Sequence, residues 1–185
     1  MKYTGTHHMS RKNQFVYLVS VTVLLGVAIA MMLTLFRVPS VAHTASTFNT
    51  EYTLVLSDYN GNAVHLYDYR RQVLIAYAWA SWCPYCGTEI EGLAQLKATY
   101  GDNVQIVAIN RGEPLSVARA YTNALTNTTG VVFLLDPTDS FFKDIGGYAM
   151  PEMVFIDSSG AIIFHQRGPI QMSDVQAEIE KLLHP

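Results

Sequence analysis

Cys83 and Cys86 are the only cysteines in the chain, and just Pro84 and Tyr85 separate them. A single C-x-x-C can be half of a zinc site, a short structural bridge, or a redox pair. Zinc takes four ligands, and there is no second cysteine pair. The six histidines (His7, His8, His43, His65, His165 and His184) show no paired spacing within the folded part. A bridge closing so short a loop constrains little of the unfolded chain and adds little stability. Redox exchange fits the position better. The pair follows an apolar run at 73–79 and opens a predicted helix at 84–100. Cys83 would then lie beside unpaired backbone N–H groups and the positive end of the helix dipole, which stabilise a thiolate. Pro84 suits the first helical position, where an N–H has no partner anyway. Cys83 is thus the expected nucleophile. Cys86, less than a turn further on, is the resolving thiol that would attack the mixed disulfide; the reverse sequence would donate a disulfide. The thiols carry the chemistry themselves, so no cofactor and no metal is expected.

The elements that must position this pair are legible as periodicity. Segments 51–56 and 63–67 flank Asn60-Gly61, a hairpin signal. Segment 73–79 reads as a central strand. The helix at 84–100 carries Ile90, Leu93, Leu96 and Tyr100 at near-helical spacing, with Gly101 as a stop. A second buried strand at 104–109 is followed by a helix opened by Pro114 and running to about 126. A short strand follows at 131–135. Phe141, Phe142 and Ile145 mark a short helix closed by Gly146-Gly147. Strands at 153–156 and 161–165 flank a turn at 157–160. Ser173-x-x-Gln176 reads as a capping box for a last helix with core face Val175, Ile179, Leu182 and Leu183. Strands alternating with helices predict an α/β domain with a central mixed sheet flanked by helices, antiparallel at one edge.

The N-terminus has a different character. The formal net charge is -3, yet no Asp or Glu precedes Glu51, while Lys2, Arg11, Lys12 and Arg37 do. Residues 15–36 are 22 consecutive uncharged, mostly apolar residues. As a helix they would reach about 33 Å, enough for a hydrocarbon core of about 30 Å. The Lys/Arg bias places the N-terminus in the cytoplasm and the domain outside. Ala28-Ile29-Ala30 resembles a signal-peptide cleavage site, but cleavage there would leave Met31-Met32-Leu33 as an exposed apolar end, so an uncleaved anchor is the preferred reading. The expected organisation is a cytoplasmic tail (1–14), a transmembrane anchor in the lipid bilayer (15–36), a small, polar tether (37–50) and the folded domain (51–185). No basic patch with interleaved aromatics appears, so nucleic acid is not an expected partner.

The segment AWASWCPYC resembles the active-site stretch of thioredoxin-fold proteins. More narrowly, DYNGNAVHLYDYRRQVLIAYAWASWCPYC and YAMPEMVFIDSSGAIIFHQRGPI are similar to segments of the TlpA/ResA/DsbE group of membrane-anchored extracytoplasmic thiol-disulfide oxidoreductases. The likeness covers about residues 51–185. It implies a thioredoxin-like fold with an N-terminal β-hairpin extension and a central helix-strand insertion. The implied clients are proteins with cysteines or disulfides, for example apocytochrome c in cytochrome c maturation. The implied thiol donor is a membrane protein of the DsbD/CcdA type. The group mostly reduces its clients; the rival readings are an oxidase that inserts disulfides into secreted proteins, or a copper-binding or delivery module, which would want a third ligand near the pair and for which His165 is the only candidate after the cysteines within the folded core, with nothing in the sequence placing it there. By the same resemblance Pro151 is a cis-proline facing the cysteines, and the Met150 backbone is free to pair with a client strand. Met150 departs from the threonine common in the group. The pair Pro151-Glu152 leans toward the DsbE branch, and the implied substrate face is Trp82, Met150, Pro151 and Glu152. Glu89 has two readings: a proton relay for Cys86, as in ResA-like relatives, or a solvated acid favoured by the helix dipole. Tyr77 stands where thioredoxins carry a buried acid and TlpA-like proteins often carry Asn; it reads as core, as does Trp79.

Overall fold

In the computed structural model the described residues are 20–27, 31, 54–69, 71 and 73–184. Seven strands form one mixed sheet: β1 (Val55–Asp58), β2 (Ala63–His65), β3 (Val73–Trp79), β4 (Val104–Arg111), β5 (Val131–Asp136), β6 (Glu152–Asp157) and β7 (Ile162–Arg167). Their order across the sheet is β2-β1-β5-β4-β3-β6-β7. The central strands β3, β4 and β5 run parallel, while β1–β2, β1–β5, β3–β6 and β6–β7 are antiparallel. The helices of this domain are α1 (Cys86–Tyr100), α2 (Leu115–Ala124), α3 (Ser140–Asp144) and α4 (Met172–Leu183). The N-terminal hairpin adds to the sheet through β5, the strand of the helix-strand insertion, with Ser57 opposite Leu135. Its turn is held by Asp58, whose carboxylate accepts the Asn60 and Asn62 N–H groups at 2.8 Å each, with Gly61 at φ 85°.

β3 is buried at every position, as a central strand covered on both faces must be. The strand's two-residue period divides its side chains between two layers. Val73, Ile75, Tyr77 and Trp79 pack with Ile90 and Leu93 of α1 and Val175 and Ile179 of α4. Leu74, Ala76 and Ala78 pack on the opposite face with Phe141 and Phe142 of α3 and with Leu56 and Leu66. Each fully buried Leu, Ile or Phe contributes about 1.5–3 kcal/mol, so α1 is fixed to β3 by its apolar stripe as well as by the short connection that carries the cysteines.

Three expectations need correction. The helix predicted from 84 begins at Cys86, with Tyr85 at its cap and the Cys83 N–H already turned back onto the Ala80 carbonyl at 3.1 Å. The Ser173-x-x-Gln176 box does not form: α4 starts at Met172, Gln171 enters it in extended conformation, and no side chain caps it. Antiparallel pairing occurs at both edges of the sheet rather than at one. The chain divides into two units, Met1–His43 and Thr44–Pro185. In the first, residues 20–27 are helical, and among the described residues no helix is long and apolar enough to cross a membrane. The expected tail (1–14), the tether (37–50) and most of the expected anchor (15–36) lie outside the described residues.

Candidate active site

The cysteines lie on the connection from β3 into α1 and are joined as a disulfide with a Cα–Cα distance of 5.5 Å. Cys83 is 2% exposed and Cys86, the first residue of α1, is 0% exposed. Their neighbours are open: Trp82 is 63% and Tyr85 54% exposed. Exposed aromatic rings next to a nearly covered sulfur pair, Trp82 before it and Tyr85 within it, suit a surface that a protein client presses against.

The entry to the pair is clamped from β4. Glu113 accepts the Ser81 N–H at 2.8 Å on Oε2 and the Ser81 hydroxyl at 2.5 Å on Oε1. Asn110, at the end of β4, donates to Glu113 Oε2 at 2.7 Å. These donors outweigh burial and hold the Glu113 carboxyl below the usual carboxylate range. No sequence spacing pointed to this clamp, because Ser81 and Glu113 meet only once β3 and β4 pair.

Glu89 is buried, 6% exposed, which removes the solvated-acid reading. It lies on α1 one turn beyond Cys86, on roughly the same face. Its Oε2 accepts the Tyr77 hydroxyl at 3.1 Å, and its Oε1 accepts the Ile170 N–H at 3.1 Å. Burial pushes the Glu89 carboxyl above its ordinary value, against the two donors, which favour the charged form. Tyr77 therefore does more than fill the core, the only role its sequence position suggested.

The Met150–Pro151 peptide is cis. Pro151 immediately precedes Glu152, which pairs with Ala78 of β3, so it lies level with the end of β3 that leads into the cysteines. Pro151 is buried and Met150 half-buried. The Pro151 carbonyl accepts the Gly168 N–H at 2.8 Å. Residues 168–170 thus form a strap with one end on the cis-proline and the other on Glu89.

Glu152, assigned by resemblance to the substrate face, is fully buried. Its Oε1 accepts the N–H groups of Tyr148 (2.6 Å) and Ala149 (2.8 Å), and its Oε2 lies 2.8 Å from His165 Nε2. The side chain braces the proline loop from beneath and is out of reach of a client. The exposed member of this loop is Tyr148, at 79%, with the Arg167 guanidinium over its ring at 5.2 Å. His165, the third ligand required by the copper reading, faces Glu152. Among the described residues no group of three or more His, Cys, Asp or Glu side chains could hold a metal ion.

Residues 37–183 match the family model described as Redoxin. The chain is 31% identical over 116 residues to the thiol:disulfide interchange protein DsbE of Allochromatium vinosum, a match covering 60% of this chain and 60% of that relative. It is 27% identical over 135 residues to the thiol-disulfide oxidoreductase ResA of Geobacillus thermodenitrificans, covering 72% of this chain and 76% of that one. The solved structure of MTB dsbF in its mixed oxidized and reduced forms covers 72% of this chain and 97% of its own, with a TM-score of 0.64 at 19% identity. The fold is a thioredoxin-like α/β fold, a mixed sheet flanked by helices.

Proposed function

Because the chain belongs to the Redoxin family and is similar to thiol-disulfide oxidoreductases of the DsbE and ResA type, we propose that it exchanges disulfides with protein clients through Cys83 and Cys86. The observation that carries this reading is the position of the pair, joined as a disulfide at the mouth of α1 and flanked by exposed aromatic rings. In the reducing direction the Cys83 thiolate attacks a client disulfide and displaces one client sulfur as a thiolate, which takes a proton from water. Cys86 then attacks the Cys83 sulfur, gives up its own proton and releases the second client sulfur. Two electrons pass to the client, and the Cys83–Cys86 disulfide forms. In this reading Glu89, buried one turn along the helix from Cys86, receives the Cys86 proton. Trp82, Met150 and Pro151 form the client-facing surface, with the Met150 backbone free to pair with an extended client segment.

We assign the reducing direction, toward selected cysteines such as those of apocytochrome c, with a DsbD/CcdA-type membrane protein restoring the dithiol. The test is the midpoint potential of the Cys83–Cys86 pair against glutathione, read by alkylation and mass spectrometry. A value below about −200 mV is expected for a reductant. A value above that, toward the roughly −120 mV of a strong oxidant, would make the chain a disulfide donor and overturn the direction.

Residues 15–36 serve in this reading as an uncleaved anchor that keeps the domain on the extracytoplasmic face of the cell membrane. The full chain is expected to sediment with membranes and to retain the residues before Phe15. A mature protein beginning at Met31 would refute the anchor and leave the redox reading untouched.

A further inference from the structure

Tyr77 stands on the central strand, is fully buried, and donates to the carboxylate of Glu89, one turn along α1 from Cys86. We propose that Tyr77 is a positioning residue for proton transfer: its hydroxyl holds the Glu89 carboxyl in place and fixes the proton of the acid form on Oε2. This rests on the reading of Glu89 as the acceptor of the Cys86 proton and gives that acceptor a second, adjustable component.

The geometry carries the assignment. Glu89 has two oxygens and two neighbours of different kinds. The Ile170 N–H on Oε1 can only donate, so Oε1 must remain an acceptor in both protonation states. The Tyr77 hydroxyl on Oε2 can donate or accept. When Glu89 is charged, Tyr77 donates to Oε2. When Glu89 is protonated, its new O–H finds an acceptor only in the Tyr77 hydroxyl of its two bonded neighbours, which puts the proton on Oε2, donated to Tyr77 Oη. The change requires a rotation about one C–O bond and no movement of the backbone. The groups bonded to Glu89 are Tyr77 from β3 and the Ile170 N–H from the strap before α4; Cys86 precedes Glu89 by one turn on α1, and Tyr121 of α2 acts on Tyr77. Tyr77 itself is no acid here, since burial first and Glu89 second push its phenol above its ordinary value. Its contribution is to the charged form of Glu89, which burial would otherwise disfavour.

The test uses the full chain in its disulfide form, so that the cysteines do not titrate. Glu89 is followed by its side-chain carboxyl carbon in NMR, in wild type and in Tyr77→Phe. Loss of a hydrogen bond to a charged group is expected to raise the Glu89 inflection by about one pH unit. Site-specific 3-fluorotyrosine at Tyr77, a stronger donor of nearly the same size, is expected to move the inflection the opposite way. An inflection unmoved by both replacements would overturn the proposal. The second readout is the pH profile of reduction of a model disulfide. The Cys86 step needs charged Glu89, so its rate rises with pH through the Glu89 inflection, and Tyr77→Phe shifts that rise upward. A Glu89→Gln profile superimposable on wild type would remove the relay, and the positioning role with it. A Glu89→Gln profile that differs, beside a Tyr77→Phe profile that does not, would overturn Tyr77 alone.

Discussion

A Cys86→Ser chain is expected to accumulate mixed disulfides with its clients through Cys83, while a Cys83→Ser chain accumulates few. Both variants lose at least about 10³-fold in turnover, because each removes one half of a two-step exchange. The difference between them comes from position. Cys83 precedes the N-terminus of α1, the end of a helix whose dipole favours a thiolate. It is also flanked directly by exposed Trp82. Cys86 is the first residue of the helix and is wholly covered. A client sulfur that arrives at Cys83 is normally expelled by Cys86; with serine there, it stays. Non-reducing mass spectrometry of each variant incubated with a disulfide-bearing peptide reads the result directly. Equal trapping by the two variants would reverse or erase the assignment of nucleophile and resolving thiol.

Glu152→Ala should destabilise the domain by about 3 kcal/mol. The carboxylate is fully buried and satisfies the N–H groups of Tyr148 and Ala149 together with His165. Removing it strands two backbone donors, at roughly 1–3 kcal/mol for each buried group left unpaired, and leaves a space behind. For a domain of this size the loss corresponds to a drop in Tm of roughly 10 °C. Glu152→Gln keeps an acceptor oxygen for the two N–H groups and fills the same space, so it should lose only about 1 kcal/mol. Urea unfolding of the two variants separates these outcomes. An alanine variant within about 0.5 kcal/mol of wild type would mean that water or a shifted loop satisfies those donors, and that the brace is dispensable.

The pair at 83 and 86 was legible because it depends on local features, an apolar strand before it and a helix after it. The 73–79 strand was legible because a strand buried on both faces leaves a continuous apolar run. The hairpin and the inserted strand β5 were also legible, though their attachment to one another was not, since sheet order is not written in local periodicity. Three side-chain roles were hidden for one common reason. Each of Glu113, Tyr77 and Glu152 has one partner, Ser81, Glu89 and His165, that lies 32, 12 and 13 residues away in sequence and is brought up only by the fold. Glu152 was drawn to the substrate face because its neighbour Pro151 belongs beside the cysteines. It pairs with Ala78, on the face of the sheet that packs against Phe141 and Phe142, which turns its side chain inward. The capping box at Ser173 failed because the cap position falls on Gln171, two residues earlier, just after the strap whose Ile170 N–H is already bonded to Glu89.

The strap at 168–170 has a consequence for how the two ends of the site sense one another. One of its N–H groups is bonded to the Pro151 carbonyl and another to Glu89. On the proposed function, a client strand that displaced the proline loop would load the first bond and, through the strap, the second. Client binding at the proline loop and proton affinity at Glu89 would then be linked functions, and linkage is reciprocal. A client that raises the proton affinity of Glu89 binds more tightly as the pH falls; one that lowers it binds more tightly as the pH rises. Under the proposed function, three residues of backbone would thus register a seated polypeptide before any sulfur had moved.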